Sequence, residues 1–543
     1  MDSMATTPRG DRLSALGDAT LTRVLSHLPT NEAVRTSILS RRWRNLHAAV
    51  PVVDFIDPKR GDTWGHHRNH QPMCFEQMVT CALLTRDPTA PIRALRLDSC
   101  HPTVTVLVQC ILVALRSGAE ERDLKIRCQE ASRLRLCPFG HYEGCSADFN
   151  EGDLGRYVRT PAAIFRSATL RHLTLSRWTL EFPQDVSFMA LETLVLHRIM
   201  GSGEELRRLV SSCSQLTHLT LEECPGATTI TVTSTRLRRF ALVCCHNARH
   251  VTLNSQRLRS VRYKGGLPPV GSFFWIANYT TVRALTIDIC EEIDGKTPRQ
   301  IAPFAELIGR CTNLDFLHLA LRPAMACYSS LFTRVLRLLP RLRHLELKGC
   351  LHNEHTVASV SALLQNTPNL EVLSLFPLLP DPPQKKKSYL YDFEGMDIDQ
   401  NKDDGDDKEV RYGSYVRVPR GVWTAPVRCF NHRLRRINLV DYRGRPFERM
   451  LAKFLLSKAS ALEELSVSIA PRCSAHRDEI GKELTYWRFN RRTRVRVEQP
   501  AVAINQITTI EIRNHNKRTL GLVNNVNIDQ QNLTVNSVKR PEE

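Results

Sequence analysis

The sequence predicts an α/β chain: a small N-terminal module of three short helices, then an irregular repeat solenoid with parallel strands on its concave face and helices or loops on its convex face. Three observations lead there. Apolar residues near the N-terminus fall at helical spacing. Beyond residue 90 a pattern of apolar, two others, apolar, one other, apolar recurs, and cysteines keep returning to one place in it. A chain of 543 residues is too long for one compact core and could hold several cores or one extended array, a choice the repetition makes.

The N-terminal helices come first. Leu21, Val24, Leu25 and Leu28 form one stripe at i, i+3, i+4 and i+7, which Pro29 ends. Thr30 is placed to cap a second short helix, with Glu32 near its positive end. Val34, Ile38, Leu39, Trp43 and Leu46 continue at helical spacing, with Arg35, Arg41, Arg42 and Arg44 on or beside the other face. Some 35 residues cannot bury so much apolar surface alone, so a docking partner is implied.

The wording of this segment resembles the F-box of plant F-box proteins. The match runs from about residue 11 to 50 and is carried by Asp11-Arg12-Leu13-Ser14-Ala15-Leu16, Leu25-Ser26-His27-Leu28-Pro29-Thr30, Ala33-Val34-Arg35-Thr36-Ser37 and Leu39-Ser40-Arg41-Arg42-Trp43-Arg44. The resemblance implies an adaptor-binding surface of Leu16, Leu21, Leu25, Leu28, Pro29, Val34, Leu39, Trp43 and Leu46, buried against a Skp-type adaptor that bridges to a cullin. Two positions depart from the family: Gly17 stands where Pro is usual, and His47 where Trp is frequent. Without the proline's preset dihedral the lead-in to the first helix is expected to be less fixed and adaptor binding weaker.

The repeat pattern begins at Ile92, Leu170, Leu191, Leu216, Leu237, Leu258, Val282, Leu314, Leu342, Leu370, Leu434 and Leu462, with most spacings in the range of leucine-rich repeats. Positions one, four and six of each unit are expected to point inward, so that stacked units share one core and no unit folds alone. Cys100, Cys224, Cys245, Cys290 and Cys350 occupy position nine, where a small buried thiol suits the turn. They are read as structural, not as redox or metal residues. A unit around Ala119 to Ile126 is degenerate, with Arg122 at a normally apolar place.

Two intervals break the array. Residues 128–157 hold Cys128, Cys137, His141 and Cys145, types that ligate zinc, but without a paired CxxC knuckle; an ordinary loop is expected. His66, His67, His70 and Cys74 form a similar cluster in the linker before a helix from Phe75 to Thr85. Residues 377–415 open with Pro-Asp-Pro-Pro and three lysines and turn acidic, a composition that disfavours a packed core. Asp397, Asp399, Asn401 and Asp403 alternate like calcium ligands, but Lys402 and Lys408 occupy the places of the turning glycine and the closing acid. Lys385 to Lys387 and Arg491 to Arg496 are weak candidates for nuclear import. No metal site is expected.

After residue 415 the pattern resumes at Leu434 to Leu439, followed by a helix from Pro446 to Lys458 with Phe447, Met450, Leu451, Phe454 and Leu455 on its apolar face, and a strand at Leu462 to Val467. This unit resembles the FBD segment that ends many plant F-box repeat proteins, and the resemblance implies a cap over the last apolar edge. The expected organisation is a flexible 1–10, an F-box at 11–50, linker and helix at 51–90, repeats at 91–376, an acidic mobile loop at 377–415, last repeats and cap at 416–470, and an unassigned tail at 471–543.

Composition bounds the function. With 42% apolar and 24% charged residues the chain is globular, and no stretch approaches the roughly 18 apolar residues of a membrane helix. The nearest, Val104 to Leu115, is interrupted by Gln109. Met1 to Arg12 lacks the form of a secretory signal, and 17 scattered cysteines do not make a disulfide framework. An intracellular protein of nucleus or cytoplasm is expected. Catalytic motifs are missing: no phosphate-cradling glycine loop, GxSxG, HExxH or Cys-rich ring. An enzyme is therefore not expected.

The F-box resemblance then implies the substrate-recognition subunit of a Skp-cullin-F-box ubiquitin ligase, acting by proximity. His172, His218, Arg238, Arg259, Arg283, His318 and Arg343 project from the strands as candidate target-binding residues, mostly basic. An acidic or phosphorylated partner follows, and an inositol phosphate by likeness to hormone-receptor relatives of this architecture; the alternative is that these charges serve solubility. The net charge of +19 supports a competing reading, a repeat scaffold or nucleic-acid-binding protein, although no aromatic and basic stacking platform is evident.

Overall fold

In the computed structural model the described residues are 13, 15–57, 74–99, 103–119, 122–128, 137, 158–181, 183, 186, 188–268, 273–291, 293, 301–324, 329–351, 353–378 and 416–498. Cys100, His66, His67, His70, His141, Cys145 and the interval 379–415 lie outside them, as do residues 499–543 and the side chain of Cys128.

Every predicted repeat start leads into a strand. The strands are β1 Val52–Ile56, β2 Ala94–Ser99, β3 Arg122–Cys128, β4 Val158–Arg159, β5 Leu170–Ser176, β6 Trp178–Thr179, β7 Thr193–His197, β8 His218–Glu222, β9 Thr229–Val232, β10 Arg239–Val243, β11 His250–Leu253, β12 Ser260–Gly265, β13 Phe274–Ile276, β14 Ala284–Ile289, β15 Phe316–Ala324, β16 His344–Cys350, β17 Val372–Leu378, β18 Arg436–Tyr442, β19 Glu464–Ile469 and β20 Arg494–Glu498. Among the described residues fifteen of them make one sheet, in the order β1-β2-β3-β5-β7-β8-β10-β12-β14-β15-β16-β17-β18-β19-β20, and the registers are parallel throughout. Positions four and six of each unit, such as Leu219 with Leu221 and Leu345 with Leu347, are buried in one continuous core.

Helices back this sheet: α3 Phe75–Leu84, α4 Val104–Arg116, α6 Gly203–Ser212, α7 Ala302–Arg310, α8 Ser329–Leu336, α9 Glu354–Gln365 and α12 Pro446–Lys458, with one-turn helices α5 Ala162–Phe165, α10 Arg420–Trp423 and α11 Cys429–His432. The units starting at Leu216, Leu237 and Leu258 are among the short ones and carry no α-helix among the described residues. There a second parallel sheet, β9-β11-β13, takes the helices' place. Buried serines tie these units together: Ser234 Oγ donates to the Leu216 carbonyl at 2.8 Å, and Ser255 Oγ to that of Leu237 at 2.8 Å.

Three segments differ from expectation. Residues 51–90 are not only linker and helix, because β1 is the first strand of the sheet and Thr30 Oγ1 accepts from the Asp54 N–H at 2.8 Å. Thr30 therefore does not cap; Pro29 is the N-cap of α2 Thr30–Arg35, and the hydroxyl is spent on β1. The degenerate unit is a full strand, with Leu124 and Ile126 buried and Arg122 donating to Thr169 Oγ1. Part of the unassigned tail is ordered: α13 Arg477–Trp487 packs on α12, and β20 adds the last strand.

Candidate functional site

The N-terminal module is built from α1 Asp18–Leu25, α2, and 3-10 turns at Thr36–Ile38 and Trp43–Ala49. Its apolar residues divide between two faces. Leu21, Leu25, Ala33, Trp43 and Leu46 close a small core with Val50, Val52 and Ala94, and Leu16 packs at its edge. Leu21 and Leu25 are 0% and 1% exposed. The other half faces out: Val24, Leu28, Val34 and Leu39 are exposed, and Ile38 is 85% exposed. Of the nine expected adaptor contacts, Leu28, Pro29, Val34 and Leu39 are on the surface, whereas Leu21, Leu25, Trp43 and Leu46 are occupied by the module's own packing on the first strands. The single helical stripe read from the sequence overlooked this, since helical spacing identifies apolar residues but not which of them the module's own packing buries. Ile38 and Val24 are additions to the outward face.

Gly17 is the N-cap of α1 with φ −69° and ψ 156°, ordinary extended backbone. The lead-in is held by a side chain instead of a proline: Arg42 Nε donates to Asp18 Oδ1 at 2.8 Å, and Arg42 also bonds the Leu16 carbonyl.

The second surface lies where the strands begin. The residue at position two of each unit donates its N–H to the carbonyl of the same position one unit earlier, as in Arg238 to Thr217, Arg259 to Arg238, Arg283 to Arg259 and Asp315 to Arg283, each at 2.8 Å. Side chains on this ladder are therefore about one strand spacing, roughly 4.8 Å, apart. Charges mostly alternate along it: Arg171 pairs with Glu192 at 3.0 Å, Arg343 with Glu371 at 3.7 Å and Arg435 with Glu463 at 3.4 Å. Alternation fails at Arg238, Arg259 and Arg283, three guanidinium groups on successive rungs. Arg283 reaches Asp315 at 3.9 Å. Among the described residues, no carboxylate lies within ion-pair distance of Arg238, Arg259 or the adjacent Arg257. These four arginines, with Thr280 and Thr281, line a shallow groove.

The expected basic list thus contracts. Arg343 stands apart from the run, 3.7 Å from Glu371. His318 Nδ1 sits 2.8 Å from Glu346 with both side chains largely buried, so it offers little to a ligand. Burial, reinforced by Arg239, Arg238 and His172, pushes His218 down to about 4, so it is neutral at pH 7. His172 stays exposed. His197, which the sequence did not single out, is likewise held down to about 4 by burial and by Arg198, Arg127 and Arg177.

Comparisons with known proteins agree with this geometry. A family model described as the F-box domain matches residues 13–46, one described as the LRR repeats of FBD-associated F-box protein At5g56370 matches 148–269, and one described as FBD matches 424–467. These three matches, in this order along one chain, support a plant-type F-box/leucine-rich-repeat protein with an FBD segment. Among its Arabidopsis thaliana relatives, the F-box/FBD/LRR-repeat protein At5g56420 is 26% identical over 67% of this chain and 76% of its own length. FBD-associated F-box protein At5g60610 is 23% identical over 84% and 100%, and F-box/LRR-repeat protein At2g42730 is 30% identical over 47% and 52%. At the family level these modules belong to substrate recognition in F-box-type ligases.

Within the repeats, the position-nine thiols of two adjacent units serve the turn: Cys224 Sγ donates to the Glu222 carbonyl at 3.3 Å, and Cys245 Sγ to those of Leu221 and Val243 at 3.6 Å. The neighbouring Cys244 is turned the other way, with φ 52°. It meets Cys137, His246 and Cys290, and all four ligand atoms lie within 4.8 Å of one another. The sequence set Cys137 beside Cys128, His141 and Cys145; the fold sets it beside residues more than a hundred positions away. No helix among the described residues is long and apolar enough to cross a membrane.

Proposed function

We propose that this chain is the non-catalytic substrate-recognition subunit of a Skp-cullin-F-box ubiquitin ligase, working inside the cell in nucleus or cytoplasm. The observation that carries the reading is the outward apolar face of Val24, Leu28, Val34, Ile38 and Leu39. Such a cluster on a module whose inner half is already consumed by packing has the form of a surface that a partner completes. A Skp-type adaptor covers it, and through the adaptor a cullin. The repeats then hold a target near the charged enzyme and raise its effective concentration. The run of Arg238, Arg259 and Arg283 favours an acidic or phosphorylated segment, because like charges on adjacent rungs repel until an anion lies across them. The same guanidinium groups would hold an inositol phosphate.

The test is a pull-down of a purified Skp-type adaptor by the intact chain and by an Ile38→Asp/Leu39→Asp variant. The intact chain binds, and the variant loses at least about thirtyfold in affinity, as expected for exposed apolar anchors worth about 2 kcal/mol or more. An intact chain that ignores the adaptor removes the ligase reading. Strongly salt-dependent RNA or DNA binding in its place would favour the scaffold or nucleic-acid alternative.

A further inference from the structure

Cys137, Cys244 and Cys290 are 8%, 6% and 2% exposed and His246 is half-buried. They come from three separate stretches: the interval between β3 and β4, the turn after β10, and the turn after β14. Strand β12 runs between β10 and β14, and its last residue is Gly265. Cys244 donates its N–H to the Lys264 carbonyl and Cys290 donates to that of Gly265, so the two cysteines reach toward each other across a rung that carries no side chain. A Cβ on Gly265 would stand 2.8 Å from the Tyr263 hydroxyl, which keeps that rung bare.

One feature of this meeting exceeds what the repeat requires. Position nine of the Cys244 unit is already filled by Cys245, whose thiol bonds two strand carbonyls. Cys244 adopts a left-handed backbone, as do Arg177, Arg198 and Glu223 at the same step of the preceding units, and this turns its thiol away from the core that receives Cys245. The Cys244 and Cys290 sulfurs are 3.8 Å apart. A disulfide requires about 2.05 Å. A tetrahedron with metal–sulfur arms of about 2.3 Å has sulfur–sulfur edges of about 3.8 Å.

We propose that Cys137, Cys244, His246 and Cys290 form a structural zinc site of the Cys3His kind. The donor set selects the ion: three soft thiolates and one imidazole, with ligand atoms within 4.8 Å of one another, suit Zn2+ over calcium or magnesium, which take oxygen ligands. Binding releases one proton from each of the three thiols and takes His246 as the neutral imidazole, leaving a site of net charge −1. There is no room in a four-ligand site for a reacting water, so its work is mechanical. The ion pins the chain between β3 and β4, at Cys137, onto the outward face of the sheet beside Ala241 and Val243. Cys244-Cys245-His246 thus serves both neighbours, one thiol for the turn and a Cys-x-His pair for the metal.

The test uses the full-length chain expressed in zinc-supplemented medium, with metal counted by plasma mass spectrometry and cysteines probed by alkylation. The expected result is one zinc per chain, at least a tenfold loss of bound zinc in Cys137→Ser and in Cys244→Ser, and no change in Cys81→Ser, an exposed thiol on α3. Cys137→Ser leaves every strand of the sheet intact, so it separates loss of metal from loss of fold. Chelation should expose Cys137, Cys244 and Cys290 to alkylation together while Cys224 and Cys245 stay protected. Replacing zinc with Co2+ should give thiolate-to-cobalt charge transfer and the intense bands of a tetrahedral site. A folded chain that holds no zinc, zinc retained in full by both cluster variants, or a Cys244–Cys290 disulfide in the purified protein would each overturn the proposal.

Discussion

The two ends of the sheet are finished in different ways. At the N-terminal end the helical module covers β1 and β2 with Leu21, Leu25, Trp43 and Leu46 and then presents a second apolar face, led by Ile38 and Leu39, to solvent. At the C-terminal end of the described residues α13 closes over α12, and β20, the edge strand among those residues, reads Arg494-Val495-Arg496-Val497-Glu498, with charges on its exposed positions. Charged edge strands resist pairing with a further strand. Repeat arrays need their terminal apolar faces covered, but a cap that ends in charge terminates the array, whereas a cap that ends in leucine and isoleucine invites another protein. Under the proposed function, one end serves stability and the other assembly.

The largest expected effect breaks the closed end. Arg449 on α12 and Glu483 on α13 are 7% and 5% exposed, joined by paired hydrogen bonds including Nε to Oε2 at 2.9 Å, and Arg449 lies 5.9 Å over the Trp487 ring. Arg449→Ala leaves a buried carboxylate without its cation and should cost about 3–5 kcal/mol. Because contacts in an array are between neighbours, hydrogen exchange should show the loss in α12, α13 and β20 while the N-terminal module keeps its protection and its adaptor binding. Arg449→Met with Glu483→Leu should recover most of the stability. Uniform loss of protection along the chain would show that the two ends are not independent.

That independence also explains what the sequence disclosed. The apolar spacing located twelve strands because each central strand has one fully buried face, and the pattern repeats with every unit. The outer strands escaped for the opposite reason: β1 follows the helical module with no earlier unit to compare, and β20 alternates charge with valine at half-buried positions. The β9-β11-β13 sheet was invisible because Thr229–Val232, His250–Leu253 and Phe274–Ile276 are too short to show a period. At the module's surface, helical spacing identified the apolar residues but not the side each one serves, since Leu25 and Leu28 differ only in what stands opposite them. The Cys137 cluster depends wholly on tertiary placement, and ligand spacing along the chain pointed to different partners.

A paired substitution sharpens the open end. Leu25→Ala removes a side chain packed between helices and the first strands and should cost about 2–5 kcal/mol, lowering the melting temperature. Ile38→Ala, at a position 85% exposed, should leave stability within about 0.5 kcal/mol of the parent while weakening adaptor binding. If Ile38→Ala destabilises the isolated chain as Leu25→Ala does, its side chain is packed in solution and the outward face is not free for a partner.

The smallest effect concerns Gly17, where the family's usual proline is missing. Its φ of −69° is the value proline imposes, a Cβ there meets nothing within 4 Å, and its N–H has no acceptor among the described residues. Gly17→Pro should therefore stabilise the N-terminal module by about 0.4–1 kcal/mol by restricting the unfolded chain. Adaptor affinity should change little, because Arg42 already fixes the approach to α1 through Asp18 and the Leu16 carbonyl. Arg42→Ala separates the two devices: it should loosen the approach in the natural chain and matter less in the Gly17→Pro background. A Gly17→Pro chain that is less stable than the parent would mean that Leu16 needs a backbone conformation proline disfavours in the residue before it. In that event the glycine is a requirement of this module and not a lost proline.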